Sequence, residues 1–229
     1  MPLIKIPKNL KVVYVDGFKI RNHIDDDFAI AHVFFDELCY FPKKFYIPKD
    51  EIWIDYHYRN ETEFLIKTQH YFSFSAKSYL HIRNLMKKEL CKKGPVPDFK
   101  LKIFRKDSKK IVYVDGKVLR EYIDPEFVMG GHGLVYSYIP ENEIWIDVKV
   151  DLKEVPYILL HERVEYDLMK KGKSYDVAHE YAVVADKEER RKRTGASYAG
   201  DYNYPWYGQS NKKIIKKITV SQKIWKIKS

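Results

Sequence analysis

The sequence predicts an α+β protein made of two homologous units and a basic C-terminal arm. A ten-residue segment occurs twice, at Tyr46–Asp55 and Tyr138–Asp147, and both copies share Tyr-Ile-Pro and Glu-Ile-Trp-Ile-Asp. A shorter segment, Val-Tyr-Val-Asp-Gly, precedes each copy, at Val13–Gly17 and Val112–Gly116. Helical hydrophobic spacing follows both copies. The predicted boundaries are residues 1–104 for a degenerate first unit, 105–193 for the second unit and 194–229 for the arm.

Each unit begins with a β-branched and aromatic run that ends in Asp-Gly, at Asp16-Gly17 and Asp115-Gly116. Asp-Gly favours a type I′ hairpin turn, which predicts return strands at Phe18–Arg21 and Lys117–Arg120. The repeated Glu-Ile-Trp-Ile-Asp segment then alternates between two faces, as a strand does. We therefore expect a small, mostly antiparallel sheet in each unit.

A helical hairpin is predicted after each sheet. In the second unit, apolar spacing extends from Val155 to Lys171, Pro156 suits the first turn, and Gly172 suits the position after the last turn. Ser174 is a good N-cap for a second helix from Tyr175 to Arg193. The short connection predicts antiparallel packing. The corresponding segments of the first unit are 61–74 and 79–92.

The composition is that of a globular protein without a membrane segment. No run approaches the ~18 apolar residues of a transmembrane helix, and the N-terminus lacks the apolar core of a secretory signal. The two cysteines, Cys39 and Cys91, lie far apart without metal-type spacing. We expect a cytoplasmic protein, or a virion-associated one if a phage encodes it, that is not secreted by a signal peptide.

The strongest candidate site lies on the second helical hairpin. His161 and Glu165 share one face of the first helix because they are four residues apart. Glu165 precedes Gly172 by seven residues and His179 follows it by seven. At about 1.5 Å rise per residue, these two side chains lie at the same height in an antiparallel hairpin. Imidazoles and carboxylates from both helices can therefore meet.

Two imidazoles and carboxylate oxygens suit a divalent metal, with zinc as the first expectation and manganese or iron as alternatives. We expect His161, Glu165 and His179 to be ligands. Asp186 is predicted as a fourth ligand or as a hydrogen-bond partner of one. Glu162 is the candidate general base on metal-bound water. A solvated helix face or a buried hydrogen-bond network would give the same pattern.

The first unit offers an internal comparison. Aligned by their helical segments, the two units place Thr68 opposite His161, Gln69 opposite Glu162 and Phe72 opposite Glu165. Arg83 falls opposite His179. An inactive copy of a site would lack all of these candidate ligands, as the first unit does. Substitutions on a solvent-exposed helix face would produce the same difference.

The second unit also has Gly130-Gly131-His132-Gly133 before its Trp strand. Three glycines permit close approach of the backbone to another group. We interpret His132 as a substrate-side residue or an additional ligand. An ordinary turn with an exposed histidine is the simpler alternative.

His161-Glu162-x-x-Glu165 resembles the His-Glu-x-x-His helix of zincin metallopeptidases, with Glu165 in the position of the second histidine. The resemblance implies that His161 is the first zinc ligand, Glu162 the general base and His179 a ligand from a downstream helix. The wider pattern, mainly residues 111–190, is also similar to small uncharacterised proteins of phages and microbes.

The C-terminal arm combines positive charge with aromatic residues. The net charge is +10, and twelve basic residues against three acidic ones lie from Lys187 onward. Such a segment favours polyanions or acidic protein surfaces. Docking on a protein partner or on a second copy is predicted through aromatic anchors. These anchors are Tyr204, Trp206, Tyr207 and Trp225.

Three functions therefore remain open at the level of sequence. The first is a metal-dependent hydrolase or peptidase with one site in the second unit. The second is a non-enzymatic structural or assembly protein, such as a phage virion component, that uses the arm. The third is a nucleic-acid binder whose affinity falls with salt through the arm lysines.

Overall fold

The computed structural model describes residues 9–26, 28–33, 47–48, 50–71, 79–106, 109–195 and 219–226. The chain divides into two compact units. The first unit comprises Met1–Lys92 and Tyr198–Ser229, and the second comprises Lys93–Ser197. Each unit contains helices and a four-stranded sheet, which confirms the predicted α+β class. In the described part of the chain, no helix combines the length and apolarity needed to cross a bilayer.

The elements are numbered in chain order. The strands are β1 (Asn9–Val15), β2 (Ala31–Val33), β3 (Glu51–Asp55), β4 (Lys100–Lys106), β5 (Lys109–Val114), β6 (Gly130–His132), β7 (Glu143–Asp147) and β8 (Thr219–Lys226). The helices are α1 (Gly17–His23), α2 (Thr62–Tyr71), α3 (Tyr79–Leu90), α4 (Gly116–Tyr122), α5 (Val155–Lys170) and α6 (Tyr175–Thr194). A 3₁₀ turn, Tyr56–Glu61, precedes α2.

Both sheets have a parallel pair at the centre and antiparallel strands outside it. The strand order is β2-β3-β1-β8 in the first unit and β4-β5-β7-β6 in the second. The central pairs are β1 with β3 and β5 with β7, and they have the same register, with Val15 opposite Asp55 and Val114 opposite Asp147. Two of the three pairings in each sheet are antiparallel, as expected. The parallel pair arises because a crossover connection, rather than a hairpin, joins its two strands.

The predicted Asp-Gly hairpin turns and their return strands are wrong, because the residues after both Asp-Gly pairs form helices, α1 and α4. Asp16 and Asp115 are N-caps that accept hydrogen bonds from backbone N–H groups of the first helical turn. A Cβ atom at Gly17 or Gly116 would overlap an Asp carboxylate of the neighbouring central strand. Glycine is thus required here for close packing, whereas the prediction assumed that it provided a positive φ.

The repeated Glu-Ile-Trp-Ile-Asp strands are anchored in the same way in both units. The Trp53 indole N–H donates to Glu51 at 2.8 Å, and the Trp145 indole N–H donates to Glu143 at 2.7 Å. At the other end, a buried arginine pairs with the strand aspartate. These pairs are Arg21 with Asp55 at 3.0 Å and Arg120 with Asp147 at 2.9 Å. Common ancestry of the two units stays a prediction.

The predicted domain boundaries need two corrections. The second unit begins at Lys93 and includes β4, because β4 pairs with β5. The C-terminal segment is assigned to the first unit, where β8 pairs antiparallel with β1 and Trp225 lies opposite Leu10. Tyr204, Trp206 and Tyr207 lie outside the described residues, so docking through residues 194–229 stays a prediction.

The helical hairpin of the second unit matches the expected bounds to within one residue at each end. Pro156 lies in the first turn of α5, and Gly172 follows this helix with a φ of 85°. Ser174 has the extended backbone of an N-cap without a side-chain cap bond, and Gly195 ends α6 in the left-handed conformation. Ala178 and Ala182 are fully buried on α6. Such small side chains let the two helices approach closely.

Candidate metal centre

The two helices of this hairpin bring His161, Glu165 and His179 into contact. The Nδ1 atom of His179 lies 2.9 Å from Oε2 of Glu165 and 3.2 Å from Nε2 of His161. The distance from Nε2 of His161 to Oε2 of Glu165 is 3.7 Å. The predicted meeting of these side chains is confirmed, because helical periodicity and equal distances from the turn bring them to one height.

Glu165 lies at the buried centre of the cluster. Its Oε2 atom faces His161 and His179, and its Oε1 atom lies 3.0 Å from Nε2 of His132. Burial alone would raise the pKa of Glu165, but the neighbouring imidazoles of His132, His161 and His179 lower it well below its ordinary value. Glu165 is therefore a charged carboxylate at neutral pH.

The cluster is open to solvent on one side. The side chains of His161 and His179 are 18% and 36% exposed, whereas His132 is fully buried. The two exposed rings have centroids 4.9 Å apart, and Tyr175 stacks on His179 at 5.4 Å. A small molecule can thus approach the two imidazoles from solvent, while the carboxylate between them is buried.

Glu162 lies beside the cluster and is 9% exposed. One of its carboxylate oxygens lies within 4.8 Å of ligand atoms of Glu165 and His132. Burial, followed by the negative charge of Glu165, raises the pKa of Glu162 well above its ordinary value. No described residue forms a hydrogen bond with this carboxyl. Glu162 can therefore exchange a proton at a higher pH than an exposed glutamate.

His132 ends the short strand β6, next to α5. A Cβ atom at Gly130 would overlap the Ile158 side chain of α5, and one at Gly131 would overlap the Tyr136 ring, so these glycines permit the close packing. His132 reaches the cluster, as the sequence analysis expected, and the alternative of an ordinary turn with an exposed histidine is wrong, because His132 is fully buried. A substrate-side role for His132 stays a prediction.

The position of His132 instead makes it a neighbour of the carboxylate that the other two histidines share.

Asp186 pairs with an arginine that the sequence analysis did not single out. Arg190 donates to Asp186 at 2.8 Å and to Glu154 at 2.6 Å, and its guanidinium lies 4.2 Å from the centre of the Tyr157 ring. Burial raises the pKa of Asp186, although Arg190 opposes this shift. Asp186 belongs to neither group of candidate ligands in the described residues. The spacing of four residues between Asp186 and Arg190 was the available signal for this ion pair.

The corresponding positions of the first unit have no such cluster among the described residues. Thr68 is buried, and its hydroxyl donates to the Leu65 carbonyl within the same helix. Gln69 is also buried, Arg83 lies on α3, and Phe72 is outside the described residues. The candidate ligands described by the structure therefore lie in the second unit.

No known family, curated protein or solved structure matches this chain. The assignment of the cluster therefore depends on its own geometry and chemistry. Those properties are the donor atoms, the distances between them and the solvent access described above.

Proposed function

We propose that this protein is a metal-dependent, hydrolase-like protein that holds a divalent ion through His161, Glu165 and His179. The separations of the three donor atoms carry the proposal. A tetrahedral zinc ion with bonds of about 2.0–2.1 Å requires donor atoms about 3.3 Å apart. The observed separations of 2.9, 3.2 and 3.7 Å lie on both sides of this value.

The donor set also favours a catalytic ion over a structural one. Two histidines and one glutamate form a recurrent set in catalytic zinc sites, which keep one position open for water or substrate. Solvent reaches His161 and His179, and the open position would lie on that side. In the His-Glu-x-x-Glu pattern Glu165 stands where zincins have a second histidine, but His179 supplies the second imidazole. The donor set is therefore complete.

Glu162 is the proton-transfer group of the proposal. A bound divalent ion acidifies the water that it holds and polarises a substrate carbonyl. The positive charge of the ion also favours the deprotonated form of a nearby carboxyl, which opposes the raised pKa of Glu162. Glu162 would then accept a proton from water at neutral pH.

Metal content tests the proposal. Protein purified without chelator, then equilibrated with zinc and desalted, is expected to retain about one ion per chain by elemental analysis. His161→Ala and His179→Ala should abolish this retention, because each removes one of only three protein ligands. His57→Ala is the matched control, since His57 contacts a carboxylate, Asp55, in the first unit.

The catalytic part of the proposal has its own readout. Glu162→Gln should retain zinc but lose hydrolysis of a fluorogenic casein, with a decrease of about 10²–10⁴-fold. A wild-type protein that binds no zinc would overturn the metal site. A zinc-loaded protein that leaves casein and simple ester substrates intact would overturn the hydrolase assignment alone.

A further inference from the structure

We infer that His132 is a positioning residue that orients Glu165 toward the metal ion. The inference rests on the proposed metal site and adds a residue from outside the helical hairpin. Glu165 has two carboxylate oxygens with separate neighbours. Oε1 lies 3.0 Å from Nε2 of His132, whereas Oε2 lies 2.9 Å from Nδ1 of His179. His132 therefore acts on the oxygen that faces away from the other two histidines.

The backbone around His132 determines which of its nitrogens carries the proton. The Leu134 N–H donates to Nδ1 of His132 at 3.2 Å. A nitrogen that accepts a hydrogen bond carries no proton, so the imidazole is neutral and its proton is on Nε2. His132 thus places an N–H group 3.0 Å from Oε1 of Glu165.

The ring of His132 is held in place from several sides. It is fully buried, and it meets the edge of the Tyr166 ring with centroids 5.4 Å apart. The N–H direction is not aligned with Oε1 as in a regular hydrogen bond, although the distance is short enough for one. Such contacts commonly tighten when a site binds its ligand.

Restricting the rotation of the Glu165 carboxylate determines which of its oxygens can bind the ion. The terminal torsion of glutamate is broad, so an unrestrained carboxylate can rotate and exchange its two oxygens. When the contact with His132 tightens into a hydrogen bond to Oε1, Oε2 is the atom that remains for the ion. Partners that orient ligands in this way raise metal affinity, and their loss typically weakens it by about 10–100-fold.

The same atoms could be interpreted as a second cation site, because His132, Glu162 and Glu165 also bring donor atoms within 4.8 Å. The Leu134 contact argues against that interpretation. A histidine ligand normally donates its remaining N–H to a neighbour, whereas Nδ1 of His132 accepts a hydrogen bond. With its proton on Nε2, His132 has no lone pair to offer a cation in the direction of Glu165.

Two substitutions at His132 separate donation through Nε2 from simple filling of space. In His132→Gln the amide nitrogen can occupy the place of Nε2, whereas in His132→Asn it reaches only the place of Nδ1. Cobalt(II) is the probe, because its visible absorption reports the geometry of its ligands and titration gives its affinity. His57→Gln is the control, since it alters a histidine–carboxylate contact in the first unit.

We expect His132→Asn to weaken cobalt binding by about 10–100-fold and to change the absorption spectrum. His132→Gln should restore affinity and spectrum to within about threefold of the wild type. Equal affinities and spectra for the wild type and both variants would overturn the positioning role while leaving the metal site intact. Two ions per wild-type chain, falling to one in both variants, would overturn it in favour of a second cation site. Absence of cobalt binding by the wild type would instead overturn the proposed function on which the inference rests.

Discussion

At the scale of single residues, two glutamates one turn apart have opposite pKa shifts. Burial would raise the pKa of Glu165, but three histidines lower it, so this residue stays charged. Glu162 is also buried, has no such histidine partners among the described residues and is repelled by Glu165, so its pKa is raised. Neighbouring carboxyl groups with separated pKa values are typical of sites that divide binding and proton transfer between them.

The raised pKa of Glu162 predicts a stability change in Glu162→Gln. Between the pKa of the unfolded residue, about 4.3, and its higher folded value, the folded state binds more protons. The stability of the wild type therefore falls as pH rises through this interval. The amide cannot ionise, so in chelator Glu162→Gln should have a higher thermal midpoint than the wild type at pH 8. Each unit of pKa shift corresponds to about 1.4 kcal/mol.

The difference between Glu162→Gln and the wild type should disappear near pH 4, where both folded and unfolded wild-type chains are protonated at this position. Thermal unfolding followed by circular dichroism from pH 4 to 8 gives the comparison. Glu63→Gln is the control, because Glu63 is an exposed helical glutamate paired with Lys67. An equal or lower midpoint for Glu162→Gln at pH 8 would contradict the expectation that the buried, ionised carboxylate of Glu162 destabilises the wild type.

The sequence was sufficient to predict the residues of the cluster that lie on α5 and α6. Helical periodicity and equal spacing from Gly172 place His161, Glu165 and His179 together without any other information. The positioning role proposed for His132 was not predictable in this way. It depends on the turn that directs the Leu134 N–H at Nδ1 and on the packing of β6 beside α5, and neither has a periodic signal in the sequence.

At the scale of elements, the edge strand β8 has the same place in the first unit as β4 has in the second. Each pairs antiparallel with the first strand of the central parallel pair. In the second unit this edge strand directly precedes β5, whereas in the first unit it comes from the end of the sequence. The lysine-rich segment did not predict a strand, because its apolar residues match neither the helical nor the strand period.

Deletion of residues 219–229 should therefore destabilise the first unit. It removes the backbone hydrogen bonds of β8, each with a net contribution of about 0.5–1.5 kcal/mol, so a loss of a few kcal/mol is expected. It also leaves the edge of β1 unpaired, which favours aggregation. Urea unfolding and light scattering measure the two effects.

The control for this deletion is the metal site. Cobalt affinity should be unchanged, because the candidate ligands belong to the second unit. A deletion variant as stable and monodisperse as the full chain would show that the pairing of β8 contributes little to the first unit.

The Asp-Gly segments show the limit of local turn rules at this scale. The pair favours a hairpin turn when glycine is needed for a positive φ, and the same pair suits a helix N-cap followed by a close contact. In this fold the glycine is needed for a close contact, because the aspartate of the neighbouring strand lies where a side chain at Gly17 or Gly116 would be. That contact is distant in sequence and was not available to the prediction.

At the scale of the whole molecule, the division into two compact units predicts two unfolding transitions, and the candidate ligands among the described residues lie in the second unit. Metal binds the folded second unit and should raise only one of them. At a free metal concentration of one hundred times Kd, the stabilisation is about 2.7 kcal/mol. Scanning calorimetry with zinc and with chelator measures the shift.

The variant His161→Ala serves as the reference for this calorimetric experiment, because neither of its transitions should respond to zinc. A single transition that shifts as a whole in the wild type would show that the two units unfold together. The expectation of separate responses would then be wrong, although metal binding itself would be supported.

The pairing of β1 with β8 has a consequence for synthesis on the ribosome. The first strand leaves the exit tunnel early, but its edge partner is translated roughly two hundred residues later. The contiguous second unit can be completed before that partner emerges, since domains generally fold as units during translation. In nascent chains the second unit should therefore fold first, although the first unit is translated earlier. The sheet of the first unit is completed only when β8 has been translated.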